Sequence, residues 1–227
     1  MRWINGRNQK EEEYMANIIT VTNVLGALAT NCYMAVNTDT RETLIIDPAD
    51  KADFIIKRCK EQHYKVAGIL LTHGHFDHIR AVPGLKKEYP DIKIYAGKEE
   101  EDVLKNVHVN MTVDFPPEMT LDADIYVDDG EELDLIGTKI KCLHVPGHTK
   151  GGMCYYFEEN KIVFSGDTLF EMSVGRSDFP TGSWEDLIEN ISKKLLTLPD
   201  DVVVYSGHGG KTTIGREKMM NPFFSDL

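Results

Sequence analysis

Short apolar, β-branched runs broken by polar turns open the chain. Residues 18–24, 31–37 and 43–46 have strand length and strand composition, and Gly26 and the polar stretch 37–42 supply turns between them, which predicts three consecutive strands. Asp47-Pro48 closes the third. Over 51–63 the spacing changes: Ala52, Ile55, Ile56 and Cys59 follow the i, i+3, i+4, i+7 pattern of an amphipathic helix. Residues 66–71, Val-Ala-Gly-Ile-Leu-Leu, are continuously apolar and too few to span a membrane, so they read as a buried strand. A helix over 78–88, a strand over 92–96 and a short acidic helix over 99–106 are expected next. Residues 107–124 mix polarity and contain Pro116-Pro117, which predicts a loop bordering whatever site the strands build.

The second half repeats the strand pattern at 126–128, 132–136, 139–145, 153–157 and 161–164, with a hairpin turn at 158–160. Residues 184–196 form an amphipathic helix that Ser183 can cap, with Glu185 and Asp186 near its positive end. A last strand covers 202–205, and the tail from 211 has too few apolar positions to be a domain of its own. No Gly/Ser-rich or Pro-rich linker interrupts the chain. The expectation is a polar extension over 1–14, Met15 being an alternative start, followed by a single domain over 15–227 built of two sheet-and-helix halves.

Composition narrows the function. At 227 residues and 41% hydrophobic, the chain can bury a substantial core. A formal charge of -12 argues against a nucleic-acid partner, since phosphate contacts need clustered Lys and Arg. No apolar run reaches membrane-span length and the N-terminus lacks the apolar core of a signal peptide, so a cytoplasmic protein with no membrane partner is expected. The four cysteines show no C-x-x-C spacing and read as reduced thiols. No pattern speaks to oligomeric state.

Candidate chemistry concentrates at Thr72-His-Gly-His-Phe-Asp-His78, three histidines and a carboxylate directly behind the 66–71 strand. If the backbone stays extended, His73 and His75 point to one side and can grip one ion. Asp77 and His78 follow the turn and suit a second ion nearby. Three more strands end in ligand-type residues: Pro-Gly-His148-Thr149, Ser-Gly-Asp167-Thr168 and Ser-Gly-His208-Gly209, each ligand preceded by a glycine that permits a tight turn. Four strand ends therefore converge on one edge, a common way to build a site. His63, His108 and His144 lack such a setting and are assigned to surface or core.

In order along the chain, H-x-H-x-D-H, GHT, GDT and GHG resemble the metallo-β-lactamase superfamily. The resemblance implies an α/β (α+β) fold, a four-layer αββα sandwich with mixed sheets. It further implies that His73, His75 and His148 hold one metal and Asp77, His78 and His208 a second, with Asp167 bridging. Asp47, in IIDP, matches an early aspartate that supports the metal loop, and Thr149 and Thr168 are supporting donors. HVPGHTKGG, SGDTLF, GRSDFP and TIGREKMMNPF look most like glyoxalase II-type thioester hydrolases, the hydroxyacylglutathione hydrolases, in their short bacterial subgroup. That implies two divalent ions, zinc first and iron or manganese second, cleaving a small-molecule thioester with an activated water that Asp77 and Asp167 position. Arg176 and Lys211 are the candidates for binding a substrate carboxylate. Asp178 stands where the family often has a tyrosine, and 19 residues follow His208, without the glutathione-binding helical domain of glyoxalase II proper. Two alternatives stay open: a persulfide dioxygenase with a single iron, and a non-catalytic metal-binding member.

Overall fold

A computed structural model describes residues 17–225. The expected extension over 1–14 and the alternative start at Met15 lie outside them. Three antiparallel-paired strands, β1 (Ile18–Leu25), β2 (Thr30–Asn37) and β3 (Glu42–Ile46), open the fold. Helix α1 (Ala52–Glu61) then crosses to β4 (Lys65–Leu70), which pairs parallel with β3. Next come α2 (Phe76–Ile79), α3 (Val82–Glu88), β5 (Lys93–Gly97), a 3₁₀ turn over Lys98–Glu100, α4 (Glu101–Leu104) and β6 (Ile125–Val127).

The second set is β7 (Glu132–Leu135), β8 (Thr138–His144), β9 (Met153–Phe157) and β10 (Ile162–Gly166), joined by antiparallel hairpins. A small ribbon of β11 (Leu169–Phe170) and β12 (Ser173–Val174) follows, then α5 (Trp184–Asn190), β13 (Val203–Ser206), β14 (Thr212–Thr213) and α6 (Ile214–Met220). Each main sheet has six strands, in the orders β1-β2-β3-β4-β5-β6 and β14-β13-β10-β9-β8-β7.

Three apolar clusters stack these sheets into four layers. Tyr33, Leu44, Ile46 and Leu70 of the first sheet meet Ile140, Tyr155, Phe157 and Phe164 of the second. Behind the first sheet, Ile45, Ile69 and Leu71 pack on Ile55, Ile79, Val82 and Leu85 of the helices. Behind the second, Val163 and Val204 pack on Leu187, Ile191 and Ile214. The result is an αββα sandwich with mixed sheets, as the resemblance implies. Strand β8 shows the cause: Thr138, Ile140 and Cys142 are buried while Lys139 and Lys141 are exposed, the period of two that turns one face inward. Each fully buried aliphatic or aromatic side chain contributes roughly 1.5–3 kcal/mol.

Several elements differ from expectation. The helix over 78–88 is two helices broken at Arg80-Ala81, because Pro83, in the first turn of α3, has no N–H and its ring would collide with the preceding turn. Strand β6 joins the first sheet, parallel to β5, rather than opening the second. The helix over 184–196 ends at Asn190 and continues as a π turn, in which Leu196 N–H donates to Ile191 O. Its cap is as expected, Ser183 Oγ accepting from Asp186 N–H at 3.3 Å. The ribbon β11–β12, β14 and α6 carry too little apolar pattern to be expected at all.

Candidate metal centre

The chain turns from β4 through an extended 72–75 segment into α2, and this carries His73 and His75 on the extended part and Asp77 and His78 on the helix. The ends of β8, β10 and β13 bring His148, Asp167 and His208 to the same place. Ligand-type atoms of His73, His75 and His148 lie within 4.8 Å of one another, and so do those of Asp77, His78 and His208. Asp167 stands between the triads: its Oδ2 is 3.8 Å from His148 Nε2 and 3.4 Å from His208 Nε2, and its Oδ1 is 3.4 Å from His78 Nε2. All seven predicted ligands therefore meet.

The glycines act in two ways. Gly147 and Gly166 take the positive φ values that a tight turn requires, 129° and 51°. Gly207 is not at positive φ. It is needed for close approach, since a Cβ there would sit 2.1 Å from Asp167 Oδ1 and 2.8 Å from a His78 ring carbon.

Each ring is aimed by its other nitrogen. Nδ1–H of His78 donates to Asp47 Oδ2 at 2.9 Å, that of His148 to the Arg176 carbonyl at 2.7 Å, and that of His208 to the Leu28 carbonyl at 3.2 Å. His73 Nδ1 lies 3.1 Å from the Thr72 hydroxyl, which itself donates to Asp47 Oδ2 at 2.6 Å. In these four rings Nε2 is left for the centre, and at His73 and His78 it has no partner. His75 Nδ1 lies 3.0 Å from His148 Nε2, and its own Nε2 has no partner. A third grouping, Asp47 with His73 and His78, meets the same distance limit. Its Asp47 oxygens are already engaged by Thr72 N–H at 2.8 Å, by the Thr72 hydroxyl and by His78, so Asp47 supports the loop.

Unpaired atoms and charge both ask for cations here. Six buried side-chain polar atoms lack a partner among the described residues, and four of them are His73 Nε2, His75 Nε2, His78 Nε2 and Asp167 Oδ1, an orphaning that a buried site tolerates only when something else satisfies it. Burial, with His78 and His148 beside it, holds His73 well below its ordinary range; burial and His148 bring His75 to about 3, and burial also lowers His148. That triad is neutral at pH 7, as metal-ligating imidazoles must be. In the other triad burial opposes charge, yet Asp77, Asp167 and Asp47 push His78 well up, and hydrogen bonds to Asp167 and Asp77 raise His208 to about 9. Against the same burial, His78 and His208 draw Asp77 down to about 2 and Asp167 well below the carboxylate range. Protons on His78 and His208 thus occupy places that a divalent ion would fill with positive charge. The donor set, imidazole nitrogens with carboxylate oxygens, suits zinc, iron or manganese.

A sequence profile of the metallo-beta-lactamase superfamily matches residues 25–208. The chain belongs to that superfamily. It is 38% identical over 212 residues to hydroxyacylglutathione hydrolase GloC of Haemophilus influenzae, covering 92% of this chain and 97% of GloC. Among solved structures it resembles BLEG-1 B3 metallo-beta-lactamase, with a TM-score of 0.86 and 35% identity over 91% of this chain and 100% of that one. It also resembles TTHA1623, solved in a di-iron-bound form, with a TM-score of 0.79 and 33% identity over 89% and 99%. Superfamily membership, the GloC relationship and the His/Asp groups support a metal-dependent hydrolase.

A cavity of about 510 Å³ opens over the centre, with His75, Asp77, His148, Asp167 and His208 in its lining, so five of the seven candidate ligands face a space a small molecule could enter. Arg176 also lines it, but its Nε and one terminal nitrogen donate to Asp178 at 2.9 and 2.7 Å. Lys211 does not line it; its ammonium lies 5.9 Å over the Tyr205 ring. The Thr149 hydroxyl donates to Glu100 at 2.8 Å, while Thr168, also buried, holds its turn through its backbone, its N–H donating to Ser165 O at 3.1 Å and its carbonyl accepting from Gly175 N–H at 3.0 Å. The loop over 107–124 does border the site, through Met111 and Phe115.

Sequence reasoning missed Glu100. Fully buried, its Oε1 accepts from Gly74 N–H at 2.8 Å and its Oε2 accepts from the Thr149 hydroxyl and from Gly151 N–H at 3.0 Å. It ties the loop of His73 and His75 to that of His148. Burial raises its carboxyl to about 7 despite these bonds. In the run Glu99-Glu100-Glu101-Asp102 nothing marks one acid as inward-facing, and only the 3₁₀ turn singles it out. Thr30, whose hydroxyl donates to Asp77 Oδ2 at 2.7 Å, was equally silent.

Proposed function

We propose that this chain is a binuclear metal-dependent thioester hydrolase of glyoxalase II type, acting on S-acylglutathione or related thioesters. The observation that supports it most is the arrangement of seven ligand-type residues as two triads sharing Asp167, on a chain matching a hydroxyacylglutathione hydrolase along 97% of that protein's length. His73, His75 and His148 would hold one ion, Asp77, His78 and His208 the other, and Asp167 both. Zinc is the expected metal; the di-iron form of TTHA1623 supports iron as the alternative. A pair of divalent ions supplies acidified water and polarisation of the thioester carbonyl.

The chain's own groups do the rest. Asp167 and Asp77, ionised at neutral pH, can accept a hydrogen bond from the attacking water and orient it. His208 Nε2, 3.2 Å from Asp77 Oδ2, would be taken by the second ion, so the departing sulfur takes the proton that the attacking water gives up. Water adds to the carbonyl carbon, the C–S bond breaks, and an acid and a thiol leave. A one-iron oxygenase reading would leave Asp77, His78 and His208 clustered without a cation, so the hydrolase is favoured.

The net charge of -12 supports a small molecule rather than nucleic acid as partner. No helix among the described residues is long and apolar enough to cross a membrane. We read residues 15–227 as one domain, because both sheets contribute to one shared apolar cluster. The test is a panel of thioesters, a lactone, a cephalosporin and glutathione persulfide, given to protein of measured metal content. Thioesters are expected to exceed the other hydrolytic substrates by at least about 100-fold in kcat/KM. Oxygen uptake with the persulfide and no thioester turnover would contradict the proposal.

A further inference from the structure

Half of the fourteen residues lining the cavity over the metal centre are apolar, and five more are candidate ligands. Phe76 stacks on Phe115 with centroids 4.1 Å apart and planes 8° from parallel. Arg80 fastens that pair: its guanidinium lies 5.2 Å over Phe76 and donates to the carbonyls of Phe115 and Pro116, so this wall is built before substrate arrives. Phe179 packs edge-on against His75 and His148, at 5.3 and 5.8 Å, and Phe170 lies 6.4 Å from His208. Apolar surface therefore reaches the rings that would hold the metals.

Charge recognition is weak in comparison. Among the described residues lining the cavity, the one Lys or Arg is Arg176. It is held by Asp178 through two hydrogen bonds and lies 4.3 Å over the Phe179 ring. A substrate carboxylate must displace Asp178 to use it, and a thiol carrying two carboxylates, as glutathione does, finds no second cation. Resting on the thioester-hydrolase reading, we infer that this site selects its substrate by an apolar acyl group, aliphatic or aromatic, rather than by a charged thiol. The acyl chain lies along Phe76, Phe115 and Phe179, while the thiol is held mainly through its sulfur.

Two measurements on metal-loaded protein test this. In the first, kcat/KM is determined for acetyl, butanoyl and hexanoyl thioesters of N-acetylcysteamine and of glutathione. It should rise about fourfold per methylene until the cavity is full, with the same slope on both thiols, and Phe115→Ala should flatten the slope. In the second, S-ethyl and S-hexyl thioethers of N-acetylcysteamine are titrated calorimetrically, which needs no turnover. The hexyl compound should bind more tightly, by a similar factor per methylene. Thioesters hydrolysed without dependence on acyl length, or glutathione esters preferred over their truncated counterparts at every length, would overturn the inference and leave the hydrolase reading standing. No thioester turnover together with preferential hexyl binding would retain the apolar subsite and remove the thioesterase.

Discussion

Asp167→Asn should lower thioester hydrolysis by at least about 100-fold while the protein stays folded. The residue is the one shared between the triads, within 3.8 Å of His148 and 3.4 Å of both His78 and His208. Its amide has the same shape, so the close approach of Gly207 survives, but the charge that two cations would share is gone. Partners outside the ligand shell are commonly worth about 10–100-fold in metal affinity or activity, so a group reaching both triads is expected at or beyond the upper end. His148→Ala should match it, since it opens the other triad. His63, exposed on the turn after α1, is the control, and His63→Ala should change activity less than about twofold. Circular dichroism and steady-state kinetics on the three variants check this. Equal losses at all three would mean that the site is drawn wrongly.

Glu100→Ala should damage both stability and metal binding. The substitution strands two backbone N–H groups and a hydroxyl inside the protein, at about 1–3 kcal/mol for each donor left unpaired. Against a typical total stability of about 5–15 kcal/mol, that is a large fraction. Glu100→Gln keeps the volume and one acceptor oxygen, but turns its NH₂ toward a donor, so an intermediate effect is expected. Because the carboxylate joins the Gly74 and Thr149 loops, metal affinity should fall by about 10–100-fold in the glutamine variant. Thermal unfolding with and without metal, alongside a competitive chelator titration, separates the two effects. Lower stability with unchanged metal affinity would make Glu100 a fold residue alone.

Most of the sandwich is legible in the chain because its strands are short and strongly patterned. β2, β3 and β4 are near-continuous apolar runs with covered faces, and β8 alternates. The seven ligand-type residues are legible for another reason: unusual residue types recur directly after strands, and strand ends have one edge to meet at. What is not legible depends on contacts remote in sequence. Glu100 is turned inward by one 3₁₀ turn, Thr30 meets Asp77 across 47 positions, and Phe115 becomes a cavity wall because Arg80 fastens its loop. β6 has three residues and no pattern to assign it to a sheet. The neutralisation of Arg176 by Asp178, two positions away, was open to sequence reasoning, but only geometry shows the pair closed.

If two adjacent sites share Asp167, zinc added to chelator-stripped protein, with bound metal followed, should fill both. Saturation at two ions per chain is expected in the native protein, with thioester hydrolysis reaching its maximum only as the second ion binds, and weaker binding in Asp167→Asn. Saturation at one ion per chain, with full hydrolysis at that point, would contradict it.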